Sequence, residues 1–253
     1  GGARVEAGKK TWFFLAANYA FGEALQRDAT DFIQKAGGTV VGGVRYPFPT
    51  TTDFSSFMVQ AQASGAEVLA LANAGADTIN CVKQATEFGL TPKMTVIAML
   101  MFISDVHSLG LAAAKGLMLT ETFYWDMNDR TRAFTKRVMA RYKPDWRPNM
   151  EHAGTYAVAL HYLKAAHAMG AAEAKRSGAA TVARMKAMPT DDDAFGQGRI
   201  REDGRKIHPA YLFQVKSPGE SQGAWDYYKL ITTTPAEQAV RPLAEGKCGF
   251  IHA

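Results

Sequence analysis

The first clear pattern along the chain is an uninterrupted apolar run, Thr11 to Ala17 (TWFFLAA), with no polar alternation. Such a run predicts a strand covered on both faces, as in a parallel sheet. The loop Asn18-Tyr19-Ala20-Phe21-Gly22 follows, after which Leu25, Ala29, Phe32, Ile33 and Ala36 recur at helical spacing until Gly37-Gly38 ends the helix. This is one βα unit, and its loop lies at the strand's carboxyl end, where open α/β sheets place their ligands.

The pattern then repeats. Thr39 to Tyr46 (TVVGGVRY) predicts a second strand, and PFPTTTDF a loop in which Thr52 or Asp53 caps a helix carrying Phe54, Phe57, Met58 and Ala61. Glu67 to Ala72 predicts a third strand, followed by the loop Asn73-Ala74-Gly75-Ala76-Asp77 and a helix from about Thr78 carrying Ile79, Val82, Ala85 and Phe88. Met94 to Leu100 is a fourth strand, Met101-Phe102-Ile103 leads into a helix capped by Ser104, and Gly116 to Phe123 is a fifth strand. Strands separated by helices of this length imply right-handed crossovers and a mainly parallel, Rossmann-like sheet with flanking helices, the α/β class.

After Phe123 the rhythm changes. Tyr124 to Asp129 is an aromatic and polar connection, Arg130 to Tyr142 an amphipathic helix, and Pro144 and Pro148 break the chain before a longer helix from Glu151 to Met169. A third helix, Thr181 to Met188, stops at Pro189, and no strand intervenes, so these helices lack a sheet of their own to cover. Then come Phe195 to Arg201, the turn Glu202-Asp203-Gly204-Arg205, a strand from Tyr211 to Lys216 and a tail rich in Trp, Tyr and Pro.

Bulk properties narrow the function. With 253 residues, 47% of them hydrophobic, the chain can build a core in one or two domains. The net charge of +5 comes from scattered basic residues rather than a run, which gives nucleic-acid binding little support. Cys81 and Cys248 either form one disulfide or stay as two thiols. No Cys/His cluster predicts a metal or cofactor, and no apolar run approaches the about 20 residues that span a bilayer. The opening GGARVEAGKK is not a signal peptide.

Catalytic readings fare poorly. Ser104, Asp105 and His107 lie within one turn and cannot relay a proton as a triad, so helix capping is preferred. His152, His161 and His167 do not share the i, i+4 spacing of paired ligands, and the glycines from Gly37 to Gly43 do not make a dinucleotide fingerprint. Asp191-Asp192-Asp193 reads as a solvated loop rather than a cation site. The tail residues Tyr211, Trp225, Tyr227 and Tyr228 are expected to pack, whereas Tyr124 and Trp125 either line a cleft or pack. No enzyme is expected.

Four segments together carry a resemblance: WFFLAANYAFG, DFSSF, VLALANAGADTINCVKQATEFGL and FGQGRIREDGRKIHPAYLFQVK. They resemble the leucine/isoleucine/valine-binding branch of the type I periplasmic solute-binding proteins of ABC importers. FYWDMNDRTRAF and WDYYKLITTTPAEQAVRPLAEGKC are similar to a subgroup serving the uptake of amino acids, amides, urea or aromatic acids. The resemblance covers nearly the whole chain and contains no catalytic signature.

The resemblance implies a two-lobed fold that closes on a small solute and presents it to a membrane permease. It assigns residues 1–123 to the main body of lobe two, 124–206 to the helical return segment of lobe one, and 207–253 to the re-entry strand of lobe two and the tail. The family's chain begins with most of lobe one. This sequence begins at the first crossover, so an export signal and a further α/β half-domain are expected upstream, with a periplasmic location. The helices at 130–188 are then expected to expose apolar faces and to favour self-association. Solute contacts implied by the family are Asn18, Tyr19 and Phe21 in the first strand-end loop, Asn73, Ala74, Gly75 and Asp77 in the second, and Met99, Leu100 and Met101 in the third, with Tyr124 beside them. The family's amino-acid binders resemble one another in placing an acid where this chain has Leu100, so an aromatic or otherwise apolar carboxylate is expected ahead of an amino acid. Two rivals stand beside this reading: the sensor domain of a transcription regulator or receptor with the same fold, and a Rossmann-like enzyme.

Overall fold

The computed structural model describes residues 2–142, 145–246, 249 and 251. Pro144 and Cys248, and with Cys248 the question of a disulfide to Cys81, lie outside the described residues. The chain forms two compact units, Gly1–Thr120 with Leu212–Thr232, and Glu121–Tyr211 with Thr233–Ala253.

The elements in chain order are α1 (Gly2–Glu6), β1 (Thr11–Ala17), α2 (Ala20–Lys35), β2 (Thr39–Tyr46), α3 (Ser55–Ala63), β3 (Val68–Ala72), α4 (Gly75–Glu87), β4 (Thr95–Ala98), α5 (Ile103–Leu109), α6 (Leu111–Ala114) and β5 (Met118–Glu121). They continue with α7 (Asp129–Met139), α8 (Met150–Met169), α9 (Ala171–Arg176), α10 (Gly178–Ala187), β6 (Thr190–Asp192), β7 (Gly196–Ile200), β8 (Lys206–Ile207), β9 (Ala210–Val215) and β10 (Tyr228–Thr234).

A seven-stranded sheet runs in the order β10-β9-β5-β4-β3-β1-β2, and β1 is parallel to both β2 and β3, β3 to β4, and β4 to β5. The apolar runs account for this order. In β1 all residues after Thr11 are buried, and β3 is buried throughout, as strands covered on both faces must be. The edge strand β2 alternates between exposed and half-buried residues until Tyr46, which is fully buried. One face of the sheet packs Trp12, Phe14, Val68 and Ala70 against Val5 of α1 and Leu25 and Ala29 of α2.

Several boundaries differ from the sequence expectation for identifiable reasons. β4 starts at Thr95 because the Lys93 and Met94 N–H groups both close turns onto Leu90 O at 2.8 Å. β5 starts at Met118 because Gly116 has φ +81° and Leu117 N–H turns back to Ala114 O. α4 begins at Gly75, so Gly75, Ala76 and Asp77 form its first turn rather than a loop. α5 is not capped by Ser104; Asp105 Oδ2 reaches back to accept the Phe102 N–H at 2.9 Å. α7 stops at Met139, where Arg141 and Tyr142 bond to Val138 and Met139 in tighter turns. The short helices α1 and α9 and the strand β10 were not foreseen.

The second unit holds α7–α10 and a small sheet, β6-β7-β8, whose neighbours are antiparallel. Phe123, Phe134, Ala153 and Ala194 form its core cluster. The expected solvated loop Asp191-Asp192-Asp193 is instead largely β6. Asp192 is buried, meets Lys206 Nζ at 2.5 Å and accepts the Ala194 and Phe195 N–H groups. Asp193 pairs with Arg137 and accepts the Tyr156 hydroxyl at 2.7 Å. α8 buries Ala153, Ala157, His161 and Ala165 along one stripe, and His161 Nε2 lies 2.8 Å from Met185 O of α10. Its opposite face exposes Val158, Tyr162 and Leu163.

Candidate functional site

The connections leaving β1 and β3 run in opposite directions, α2 towards β2 and α4 towards β4, so the carboxyl ends of these neighbouring strands flank the switch point of the sheet. By the crevice rule of open α/β folds this is the candidate site, and the helices that start at it share one feature. Tyr19 is the N-cap residue of α2 with extended φ/ψ of −158°/173°, and its side chain makes no capping bond. Ala74 precedes α4 and has no side chain able to cap it. In the second unit, by contrast, Asn128, Asn149 and Ser177 cap α7, α8 and α10 with side-chain oxygens. The first turns at the strand ends therefore keep N–H donors that no side chain among the described residues has taken.

Gly22 sets how close the first loop lies to its strand. A Cβ at this position would stand 2.2 Å from Ala17 O, so only glycine lets α2 fold down onto the end of β1. The Asn18 N–H bonds to Tyr46 O at 3.0 Å, tying the loop to the end of β2. Tyr19 is 39% exposed and stacks on Phe48, with centroids 4.5 Å apart and an 18° angle, while Phe21 lies 5.8 Å from Tyr19. Phe48 is itself 45% exposed, and it was not anticipated. Its only sequence signal would have been an aromatic residue two positions after a strand that neighbours β1.

Below the loops lies a fixed polar floor. Tyr46, fully buried and edge-on to Phe54, donates its hydroxyl to Asp77 Oδ2 at 2.7 Å. Burial, together with that carboxylate, pushes the Tyr46 hydroxyl far above its ordinary range, so it remains a proton donor at any physiological pH. Asn73 is buried and its side chain is committed inward, accepting from Thr78 Oγ1 at 2.7 Å and lying 3.4 Å from Cys81 Sγ. Gly75 takes φ +60°, a left-handed conformation at the entry to α4 that favours glycine.

The predicted residues thus divide. Asn18, Tyr19, Phe21, Ala74, Gly75, Asp77, Met99 and Leu100 are exposed or half-buried at strand ends of one unit, while Asn73 and Met101 turn into the core, Met101 completely. Met99 also packs against the sheet-face cluster. Tyr124 belongs to the other unit, where it is buried and edge-on to Trp125 at 6.1 Å. Among the described residues no group of His, Cys, Asp and Glu is arranged to hold a metal, and no helix is long and apolar enough to cross a membrane. His107, from the rejected triad, stacks on Trp225 at 4.1 Å and meets the Tyr227 hydroxyl at 2.8 Å, a packing role.

The sequence matches a family model described as periplasmic binding protein over residues 1–223. A periplasmic binding protein from Burkholderia mallei is 45% identical and superposes with a TM-score of 0.89 over 98% of this chain and 64% of its own. A branched-chain amino acid ABC transporter periplasmic ligand-binding protein from Burkholderia xenovorans is 39% identical, with a TM-score of 0.86 and the same coverage, 98% and 64%. An ABC transporter solute-binding protein from R. palustris, solved with 4-hydroxybenzoate, shares the fold at 20% identity, with a TM-score of 0.79 over 92% of this chain and 62% of its own. This chain therefore spans somewhat less than two thirds of the length of these proteins. It has no match among curated proteins.

Proposed function

The chain belongs to the periplasmic binding protein family, with the type I fold, and from that premise we propose that it is the extracytoplasmic solute-binding component of an ABC importer. In this reading it performs no catalysis. It captures a small organic solute at the strand-end loops and hands it to a membrane permease. Asn18, Tyr19, Phe21, Ala74, Gly75, Asp77, Met99 and Leu100 form the contacting wall, to which Phe48 is added. Asn73 acts from beneath by holding the second loop in shape.

The solute favoured is an aromatic or otherwise apolar carboxylate. The observation that carries this is the exposed Tyr19–Phe48 ring stack beside the uncapped start of α2. Offset rings present faces for a further planar group, and free N–H groups at a helix start suit a carboxylate. An ammonium is less well served. The third loop offers Met99 and Leu100 with no acid, and one oxygen of Asp77 is already engaged by Tyr46. A branched-chain or other amino acid is the second reading, favoured by the description of the B. xenovorans relative.

Calorimetric titration of the protein with benzoate, cinnamate, leucine and phenylalanine tests both. Binding of the aromatic acids, weakened at least tenfold by Phe48→Ala, is expected. Tight binding of leucine with none of the aromatic acids overturns the solute class, and an Asp77→Asn change that abolished it would locate the ammonium. No binding of any organic solute overturns the function.

A further inference from the structure

At the opposite, amino-terminal end of the same strands, a cavity of about 260 Å³ opens against the starts of β4 and β5. Arg4, Lys9, Lys93 and Lys115 line it, with Thr91, Gln214 and apolar residues, and no carboxylate is among them. Like charges sharing one cavity repel; solvent screens this at the exposed Lys93 and Lys115 and least at the half-buried Arg4. An anion in the cavity would offset it.

The neighbouring acid does so only weakly. Glu67 reaches Lys9 at 3.9 Å, while its other oxygen accepts the backbone N–H groups of Lys10 at 2.7 Å and Thr11 at 3.2 Å. Among the described residues no ion pair engages Arg4, Lys93 or Lys115. The Nε atom of Arg4 is moreover fully buried and has no hydrogen-bond partner among the described residues. A buried cationic donor left without an acceptor is costly, and here it points to an acceptor that the described residues do not supply.

We propose that this cavity is a second binding site, for a small oxyanion of the phosphate or sulfate type. The volume falls below the about 300 Å³ at which pockets for organic ligands begin, which suits a compact anion better than a solute with a carbon skeleton. The Arg4 guanidinium contributes directed N–H donors, and the three lysines act as mobile point charges around it. The site lies at the far ends of the strands from the solute loops, so it is independent of the solute-binding reading.

The test uses the whole chain at fixed ionic strength, titrated with sodium phosphate, sodium sulfate or sodium chloride and followed by calorimetry and thermal melting. Saturable binding of phosphate and sulfate with a rise in melting temperature, and no such rise with chloride, is expected. Arg4→Met and the double variant Lys93→Gln/Lys115→Gln should each weaken phosphate at least tenfold. Since Arg4→Met perturbs a half-buried side chain, the lysine variant, whose changes are exposed, carries the test if α1 is disturbed. An equal response to chloride, or unchanged phosphate affinity in the lysine variant, overturns the proposal.

Discussion

Replacing Gly22 by alanine sets two effects against each other. Gly22 is the third residue of α2, and Gly→Ala inside a helix ordinarily gains about 1 kcal/mol. The new Cβ would, however, lie 2.2 Å from Ala17 O, 2.9 Å from Ala17 N and 3.0 Å from Ala17 C. Real Cβ atoms keep at least 3.0 Å, so the turn must open by 0.8 Å. Ala17 cannot move to accommodate it, because β1 is held on both sides, pairing Ala17 with Tyr46 and Ala16 with Ala72. Overpacking typically costs 1–3 kcal/mol, and a backbone obstacle belongs at the top of that range. The net expectation is a loss of about 2 kcal/mol, roughly thirtyfold in the folding equilibrium. Gly154→Ala supplies the control, since Gly154 sits inside α8 and a Cβ there meets nothing within 4 Å. It should stabilise by about 0.5–1 kcal/mol. Urea unfolding of both variants should therefore give shifts of opposite sign. A Gly22→Ala protein as stable as wild type would refute the steric account of this turn.

Three further outcomes are expected. The Arg201 guanidinium beside Asp203 holds its carboxyl down at about 2 against an ordinary 3.8, and a folded value below the unfolded one contributes stability that is lost as pH falls between them. Denaturant midpoints should thus fall more steeply from pH 4.5 to 2 for wild type than for Asp203→Asn, and parallel curves would count against the pairing. Burial pushes the Cys81 thiol well above its usual range, so Ellman's reagent should leave it unlabelled in the native protein and label it only as urea unfolds the chain. Peptide mapping separates it from Cys248, and early labelling of Cys81 would show that the core opens locally. Asp192→Ala removes the Lys206 partner and two backbone bonds, and should cost about 3 kcal/mol in thermal or urea unfolding.

The parts of the fold legible in the sequence were those whose signal is local. β1 and β2 fall within the predicted residues because TWFFLAA is apolar after Thr11 and Gly37-Gly38 ends the intervening helix. β10 was legible in principle: YKLITTT is rich in β-branched residues, but it sits in a tail otherwise dominated by Pro, Gly and aromatic residues. The direction of side chains beyond a strand end was not legible. β4 stops at Ala98, and without a ladder the period of two no longer decides that Met101 turns inward while Leu100 stays half-buried. The inward turn of Asn73 was hidden for the same reason, since its partners Thr78 and Cys81 are fixed by how α4 folds back. The Tyr46–Asp77 bond and the Tyr19–Phe48 stack depend on strand neighbours distant in sequence, which no spacing encodes.

The uncapped start of α2 yields a last test, in which stability and affinity should move in opposite directions. Tyr19 and Asn128 have nearly the same N-cap backbone, φ/ψ −158°/173° and −163°/178°, and the carbonyl of each accepts the first helical N–H at 3.0 Å. Asn128 adds a side-chain bond to Thr131 N–H at 3.1 Å, and Tyr19 adds none. Nothing in the backbone therefore prevents a cap at position 19. Tyr19→Ala and Tyr19→Asn both lose the ring and its stack on Phe48, so the difference between them isolates the cap. Asn should be more stable than Ala by about 1 kcal/mol, because its side-chain oxygen satisfies an N–H of the first turn. If the solute's carboxylate uses those same N–H groups, the better-capped variant must bind it less tightly, since the carboxylate then competes with an intramolecular acceptor. Urea unfolding gives the first quantity and calorimetric titration with the bound acid the second. A Tyr19→Asn protein that is more stable than Tyr19→Ala yet binds the acid equally well would place the carboxylate elsewhere and leave the open helix end facing only water.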